Sequence, residues 1–454
     1  MAMGMAMTLA AALAAGAALA DAAADGAALT KASALTVEGG TVESCCVTDG
    51  CARIGYVLSP EPGSFIRCMV ELPPPAKWNG RLWGLGSGGP GGYTNERGVH
   101  GWALGGSAAA YSDLGTSRGS GRPEVIRDFG HRATHLMTVT AKALVRAYYG
   151  RSADHAYFIG GSTGGGQGFH EVLRYPDDYD GVVSTVPANT RLPLHMYFAW
   201  TNRELRDADG RMLFTAEQLE NVRKAALDAL GADEPARARG KWLMDSSYSL
   251  ARAEAVLKRA VEIDPSLDDP GLLARLGRIF HGPVIGERHI HSGVPFGADI
   301  LPGAGNQWML QWWLPKDRAL HTVTDEELLR WEREYAPDCD ACGSDVERFR
   351  KRGGKWIVAG GLEDSVVPYP SMIDWYDRTT ARVGGLDAMR AFCRFYLMPG
   401  HAHGPGRGMQ SAPDYAAALV DWVEKGRAPG RLEARMRDGA PLAIAPYPDR
   451  TTAE

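Results

Sequence analysis

A short apolar strand running into a glycine-rich turn that carries one serine constrains this chain more than any other feature. The run is Tyr157-Phe158-Ile159-Gly160-Gly161-Ser162-Thr163-Gly164-Gly165-Gly166-Gln167-Gly168, and the helix-compatible Phe169-His170-Glu171-Val172-Leu173-Arg174 follows. Residues 160–164 read as G-x-S-x-G between a strand and a helix, the layout of a nucleophile elbow. So sharp a turn leaves no room for side chains beside the serine, and glycine supplies none. The Ser162 hydroxyl then stands clear of the sheet, and the following helix turns its unbonded N–H groups towards it. Glycine-rich strand-to-helix turns also bind phosphates, but this one does not fit G-x-G-x-x-G and no lysine follows as in a P-loop.

The elbow sits in an alternation of strand and helix signals. Residues 66–72, 81–85 and 108–111 read as strands, 130–149 as a helix and 180–184 as the strand after the elbow helix. That alternation predicts a mostly parallel α/β sheet. After about Pro187 the texture becomes helical, as at 216–230 and 251–263, and a tryptophan cluster appears at Trp308, Trp312 and Trp313. Strand signals return at 355–359 and 391–397, and a final helix is predicted over 412–425. The expected organisation is an α/β core over 36–189 and 336–454, an inserted and mainly helical lid over 190–335, and a signal peptide or disordered tail over 1–35.

The 454 residues are enough for a large domain carrying an insertion. A net charge of −5 gives no electrostatic footprint for nucleic acid, and no later stretch is apolar enough to span a bilayer. The first thirty residues contain no lysine or arginine, and Ala18-Leu19-Ala20 before Asp21 matches a secretory cleavage pattern without its basic start. Export is therefore expected, with a cytoplasmic location as the alternative. Up to three disulfides would suit an exported chain with Cys45, Cys46, Cys51, Cys68, Cys339, Cys342 and Cys393. A zinc site using Cys339, Cys342 and the first group lacks the usual paired spacing. Cys393 reads as a core residue.

A serine at an elbow needs a base and an orienting acid, in the chain order Ser, Asp/Glu, His. The strand at 355–359 ends in Gly360-Gly361-Leu362-Glu363-Asp364-Ser365. Asp364 is the expected acid, Glu363 its local rival, and a helix cap before Pro368 the structural alternative. The strand at 392–397 ends in Met398-Pro399-Gly400-His401-Ala402-His403-Gly404, where two histidines compete for the role of base. An oxyanion hole needs backbone donors. One would be the N–H of Thr163. The other would come from the glycine loop after the strand at 81–85, with Gly89 preferred to Gly88.

At these motifs the chain resembles the tannase and feruloyl esterase family. The likeness is carried by Trp78-Asn79-Gly80-Arg81, by the serine segment at 160–168, by Arg174-Tyr175-Pro176-Asp177-Asp178-Tyr179-Asp180-Gly181-Val182-Val183 with Pro187-Ala188, and by the segment at 345–355. The resemblance implies an α/β-hydrolase fold with a lid, a catalytic set of Ser162, Asp364 and His403, and aromatic acyl esters such as galloyl or feruloyl esters as substrates. It also implies two departures. Relatives place a bridging cysteine before the serine and another after the histidine, where this chain has Gly161 and Gly404. The acidic calcium loop of the lid is reduced here to Leu230-Gly231-Ala232-Asp233-Glu234-Pro235, so no calcium, and no other cofactor, is expected. An acyltransferase using the same residues and a non-catalytic binding protein with a decayed site are the rival functions.

Overall fold

The computed structural model describes residues 26–27, 30–231, 243, 245–305, 308–316, 318–404, 406 and 408–451. The expected signal pattern and residues 232–235 of the reduced calcium loop lie outside them. The chain forms two compact units, one made of the residues up to Ser87 and Gly91–Phe158, the other of Gly88–Pro90 and everything from Ile159 onward.

In the first unit, β1 (Gly40–Thr48) and β2 (Cys51–Leu58) form an antiparallel hairpin. Its two-residue turn is Asp49-Gly50, both at positive φ (53° and 75°), the conformation that matches the twist of paired strands. β3 (Ile66–Leu72), β4 (Arg81–Leu85) and β5 (Ala108–Ser112) complete the order β1-β2-β3-β5-β4. Among β1 to β5 the β4–β5 pair is parallel and the other three pairs are antiparallel, so the sheet is mixed here. The predicted helix over 130–149 begins as a π-helical turn, Asp128–Arg132, and continues as α1 (Ala133–Tyr149). Buried Asp128 accepts hydrogen bonds from Ser64 and Arg132. α1 ends where Gly150 takes a left-handed conformation.

β6 (His155–Gly161) crosses into the second unit after Phe158. There α2 (Thr163–Arg174) and β7 (Gly181–Thr185) follow. The stretch read as a lid contains α3 (Arg191–Glu204), α4 (Ala216–Leu230), α5 (Leu250–Ile263), α6 (Pro270–His281), the small hairpin β8 (Val284–Ile285) and β9 (Arg288–His289), and α7 (Asp325–Cys339). Thr215 and Gln218 close a reciprocal capping box at the start of α4, and Thr324 and Glu327 do the same for α7. β10 (Lys355–Gly361) lies parallel to β7, with Lys355 opposite Gly181, and parallel to β11 (Cys393–Met398), with Trp356 opposite Cys393. β10 is buried almost from end to end, as expected of a parallel strand covered on both faces. Phe169 of α2 meets Trp356 and Trp375 edge-on at 4.5 and 4.7 Å, and Trp375 belongs to α8 (Pro370–Val383). β12 (Met409–Ser411), α9 (Tyr415–Lys425), β13 (Leu432–Met436) and β14 (Pro441–Ile444) close the chain, and the three strands form an antiparallel sheet. The predicted final helix is therefore followed by two strands that the pattern reading did not contain.

The disulfide expectation is corrected. None of the seven cysteines is joined in a disulfide. Strand register gives the reason for the N-terminal group: Cys45 stands opposite Ile54, Cys46 opposite Arg53, Cys51 opposite Thr48 and Cys68 opposite Tyr56. Facing side chains in these ladders are thus never two sulfurs, whereas a disulfide needs closely apposed Cβ atoms. Cys339 is buried at the end of α7, while Cys342 is exposed. Cys393 is buried in β11. Among the described residues no group of three or more His, Cys, Asp or Glu is placed to hold a metal ion. No helix among them is long and apolar enough to cross a membrane.

Candidate active site

The site is built on the elbow, and every residue of it belongs to the second unit. Ser162 has φ 60° and ψ −121°, a conformation that costs a non-glycine residue about 1–3 kcal/mol and persists only where its surroundings enforce it. Here the Ser162 N–H donates to the Thr185 carbonyl at 3.0 Å, and the Ser162 carbonyl accepts from Gly166 and Ala188 at 3.1 and 3.0 Å. The end of β7 and the loop beyond it therefore clamp the turn. The glycines are what let that clamp close. A Cβ on Gly160 would stand 2.5 Å from the Gly164 backbone, and one on Gly165 would stand 2.6 Å from the Thr185 carbonyl oxygen.

His403 lies in the loop after β11. Its Nε2 is 2.9 Å from Ser162 Oγ, and its Nδ1 is 2.9 Å from Asp364 Oδ2. A carboxylate can only accept, so Nδ1 carries the proton and Nε2 faces the serine as the acceptor. Asp364 follows β10 and is fully buried. Its other oxygen, Oδ1, accepts the N–H groups of Val366 and Val367 at 2.8 Å each, which fixes the plane of the carboxylate. Glu363, its rival in sequence, lines a neighbouring cavity, and the carboxylate on His403 is that of Asp364. His401 donates from Nδ1 to the Ala402 carbonyl at 2.7 Å. Burial lowers its pKa and keeps it neutral. The structure thus brings Ser162, His403 and Asp364 into one hydrogen-bonded row and leaves Glu363 and His401 outside it.

Thr163 opens α2, so its N–H has no carbonyl a turn earlier to bond. Gly89, at φ +52°, lines one cavity with Gly88 and Ser162. The Thr163 hydroxyl donates to the Gly89 carbonyl at 2.8 Å. Thr163 Oγ1 in turn accepts from Nη2 of the buried Arg191 at 2.9 Å. The cavity at Ser162 measures about 500 Å³ and is walled further by Val186, Met398 and Tyr415. Gly161 and Gly404 both line it, and a Cβ on Gly404 would meet nothing within 4 Å. A second cavity of about 400 Å³ also reaches His403 and Gly404, and is lined by Arg223, Asp299 and Glu363 among others. Arg223 is held there by both oxygens of Glu220, at 2.8 and 3.0 Å.

The tryptophans of the helical stretch pack on its own side chains. Trp308 meets His195 edge-on at 4.9 Å, and Trp313 stacks on Tyr335 at 4.6 Å. Sequence reasoning missed Arg191, Val186, Met398 and Tyr415. Arg191 carried a signal, a lone cation heading the apolar run Leu192-Pro193-Leu194. Val186 carried none, since its left-handed φ of 39° is a property of the folded loop.

The model of the tannase and feruloyl esterase family matches residues 51–235 and 278–450. A probable feruloyl esterase of Arthroderma benhamiae is 27% identical over 411 residues, covering 82% of this chain and 76% of that protein. An uncharacterized esterase of Xanthomonas campestris pv. campestris is 28% identical over 472 residues, covering 89% of this chain and 80% of that protein. Among solved structures, feruloyl esterase B from Aspergillus oryzae superposes with a TM-score of 0.79 at 19% identity, covering 94% of this chain and 96% of that one. Tannin acyl hydrolase from Aspergillus niger superposes with a TM-score of 0.73 at 18% identity, covering 93% and 92%. The fold is that of an α/β hydrolase.

Proposed function

This chain belongs to the tannase and feruloyl esterase family and is a carboxylic ester hydrolase, and from that premise we propose that it cleaves aromatic acyl esters through a Ser162 acyl-enzyme. The observation that carries the reading is the unbroken row from Asp364 through His403 to Ser162, with both hydrogen bonds at 2.9 Å. As Ser162 Oγ attacks the ester carbonyl, its proton passes to His403 Nε2, and Asp364 stabilises the imidazolium that forms. The carbonyl oxygen becomes an oxyanion facing the N–H groups of Thr163 and Gly89. Collapse breaks the bond to the alcohol oxygen, which takes the proton from His403. Water then enters, gives a proton to His403 and attacks the acyl carbon. Release of Ser162 with that proton yields the free acid.

The names of the relatives support a feruloyl or galloyl acyl group. Residues 190–335 act as a lid in this reading. Arg223 and Asp299 within that stretch wall the cavity that reaches His403, which supports it. The Ala18-Leu19-Ala20 pattern supports export, and sequencing the N-terminus of the mature protein tests it.

Labelling by a fluorophosphonate is expected for the wild type and lost in Ser162→Ala. Equal labelling of both would remove Ser162 from the chemistry. A panel of methyl ferulate, methyl gallate, chlorogenate and short p-nitrophenyl esters tests the substrate class. Turnover confined to acetyl and butyryl esters would sink the aromatic assignment while leaving the serine mechanism standing.

A further inference from the structure

Arg191 is the first residue of α3 and is 5% exposed. Burying a guanidinium is costly unless its donors are used. Burial brings its pKa down to about 10, so the group stays charged at neutral pH. It sits over the Trp308 ring at 5.6 Å and donates from Nη2 to Thr163 Oγ1 at 2.9 Å. A guanidinium has no acceptor, so Thr163 Oγ1 must accept there. Its single hydrogen is then left for the Gly89 carbonyl, 2.8 Å away. The relay has only one direction, from Arg191 to Thr163 to Gly89.

The two residues that it joins are the two whose N–H groups the proposed mechanism assigns to the oxyanion. Gly89 needs such a tie. It has φ +52°, and a Cβ built on it would meet nothing within 4 Å, so no packing on that side orients its peptide. A charge-assisted bond into the Thr163 hydroxyl also polarises the next bond in the chain. We infer that Arg191 is a positioning residue for the oxyanion hole, which through the Thr163 hydroxyl holds the Gly89 peptide so that both N–H donors meet the carbonyl oxygen. The inference rests on the serine-hydrolase reading above.

Donors that lose their aim weaken the charged transition state more than the neutral ester, so the loss belongs in kcat rather than KM. Thr163→Val removes the hydroxyl while keeping the N–H and the side-chain shape. Arg191→Met removes the cation at the head of the relay. Each is expected to lower kcat on p-nitrophenyl butyrate by roughly 10–100-fold, short of the loss for deleting an oxyanion donor outright. KM should stay within about threefold. Thr163→Ser, which keeps the hydroxyl, should regain most of what Thr163→Val loses. The double variant Thr163→Val with Arg191→Met should be no slower than about twofold below the worse single variant, because both break one relay.

A Thr163→Val enzyme with kcat within about twofold of the wild type would overturn the inference. So would multiplicative losses in the double variant, or an effect confined to KM. Should Arg191→Met fail to fold, the Thr163→Val and Thr163→Ser pair still decides it. Fluorophosphonate labelling of the wild type separates the two levels. An unlabelled, inactive wild type overturns the serine reading and this inference with it, whereas a labelled, active wild type with indifferent variants overturns the relay alone.

Discussion

Asp364 and His403 each have a chemically equivalent neighbour, and backbone geometry is what separates them. Asp364 sits where both of its oxygens are engaged, Oδ1 by Val366 and Val367 and Oδ2 by His403. Asp364→Asn keeps the shape but turns an amide N–H₂ towards Nδ1, which drives the imidazole proton to Nε2 and leaves no base facing Ser162. We expect kcat to fall by about 10³–10⁴-fold with the fold retained, as read by steady-state hydrolysis alongside circular dichroism. A loss below about tenfold would remove Asp364 from the orienting role. His403→Ala should abolish fluorophosphonate labelling, whereas His401→Ala should leave labelling detectable, because the His401 imidazole bonds the Ala402 carbonyl and it is the His403 imidazole that bonds Ser162 and Asp364. Residue types and chain order brought Ser162 and Asp364 forward from the sequence but left His401 and His403 level, and the family resemblance singled out His403. Arg191 stands out in sequence only as a cation heading an apolar run, and its role was not legible, because that lies in a contact with Thr163 across twenty-eight positions of chain.

The elbow depends on its glycines as a clamp depends on clearance. A Cβ on Gly165 would lie 2.6 Å from the Thr185 carbonyl oxygen and 2.7 Å from Pro187 Cα, and both obstacles are backbone. Gly165→Ala should therefore destabilise the protein by about 1–3 kcal/mol and cost activity as well, because Thr185 also holds the Ser162 N–H. Chemical denaturation reads the first effect and burst-phase labelling the second. An unchanged midpoint with full activity would mean that the turn is slacker than its geometry. The start of α3 gives a second test. Asp340 Oδ1 accepts the Leu192 N–H at 2.9 Å, yet burial pushes the Asp340 carboxyl up to about 7. The unfolded chain loses that proton near pH 4 and the folded chain keeps it until about pH 7, so this group makes stability fall as pH rises through that window. Asp340→Asn still accepts from Leu192 but cannot ionise. Relative to the wild type it should gain stability between pH 4 and 7 and level off above, by up to about 4 kcal/mol; equal urea midpoints for the two proteins at pH 5 and pH 8 would refute this. The hairpin of β1 and β2 has a local sequence signature. Asp49-Gly50 between two strand-forming runs is a strong turn signal, and the cysteines that surround it carry no information about that turn. β13 and β14 are short and half-exposed, so their alternation spans too few residues to stand out.

At the scale of the whole molecule, the chain's stability must come from packing and hydrogen bonding without covalent crosslinks. Cysteine count and expected export pointed towards disulfides, because spacing in sequence cannot reveal which side chains face each other. Register can. Cys45, Cys46, Cys51 and Cys68 stand opposite Ile54, Arg53, Thr48 and Tyr56. Cys393 and Cys339 are buried singly, with thiol pKa values raised by burial, and such thiols resist oxidation because the thiolate is the reactive form. Cys46 and Cys342 are the exposed ones. Three measurements should therefore agree. Thiol titration of the native protein should react quickly only at Cys46 and Cys342, and titration in denaturant without reductant should find all seven. The melting temperature should move by less than about 2 °C on adding dithiothreitol, since removing even one structural disulfide typically costs 2–5 kcal/mol. A count of five or fewer in denaturant, together with a marked drop in melting temperature on reduction, would mean that a pair closes in solution. Gly161 and Gly404 make the agreement matter for function as well. Both line the cavity at Ser162, and neither can form a covalent tie, so the His403 loop must be held by the bonds from Asp364 and by its own packing. Reductant should accordingly leave kcat on any ester unchanged, because the geometry of Ser162 and His403 has no sulfur bridge to lose.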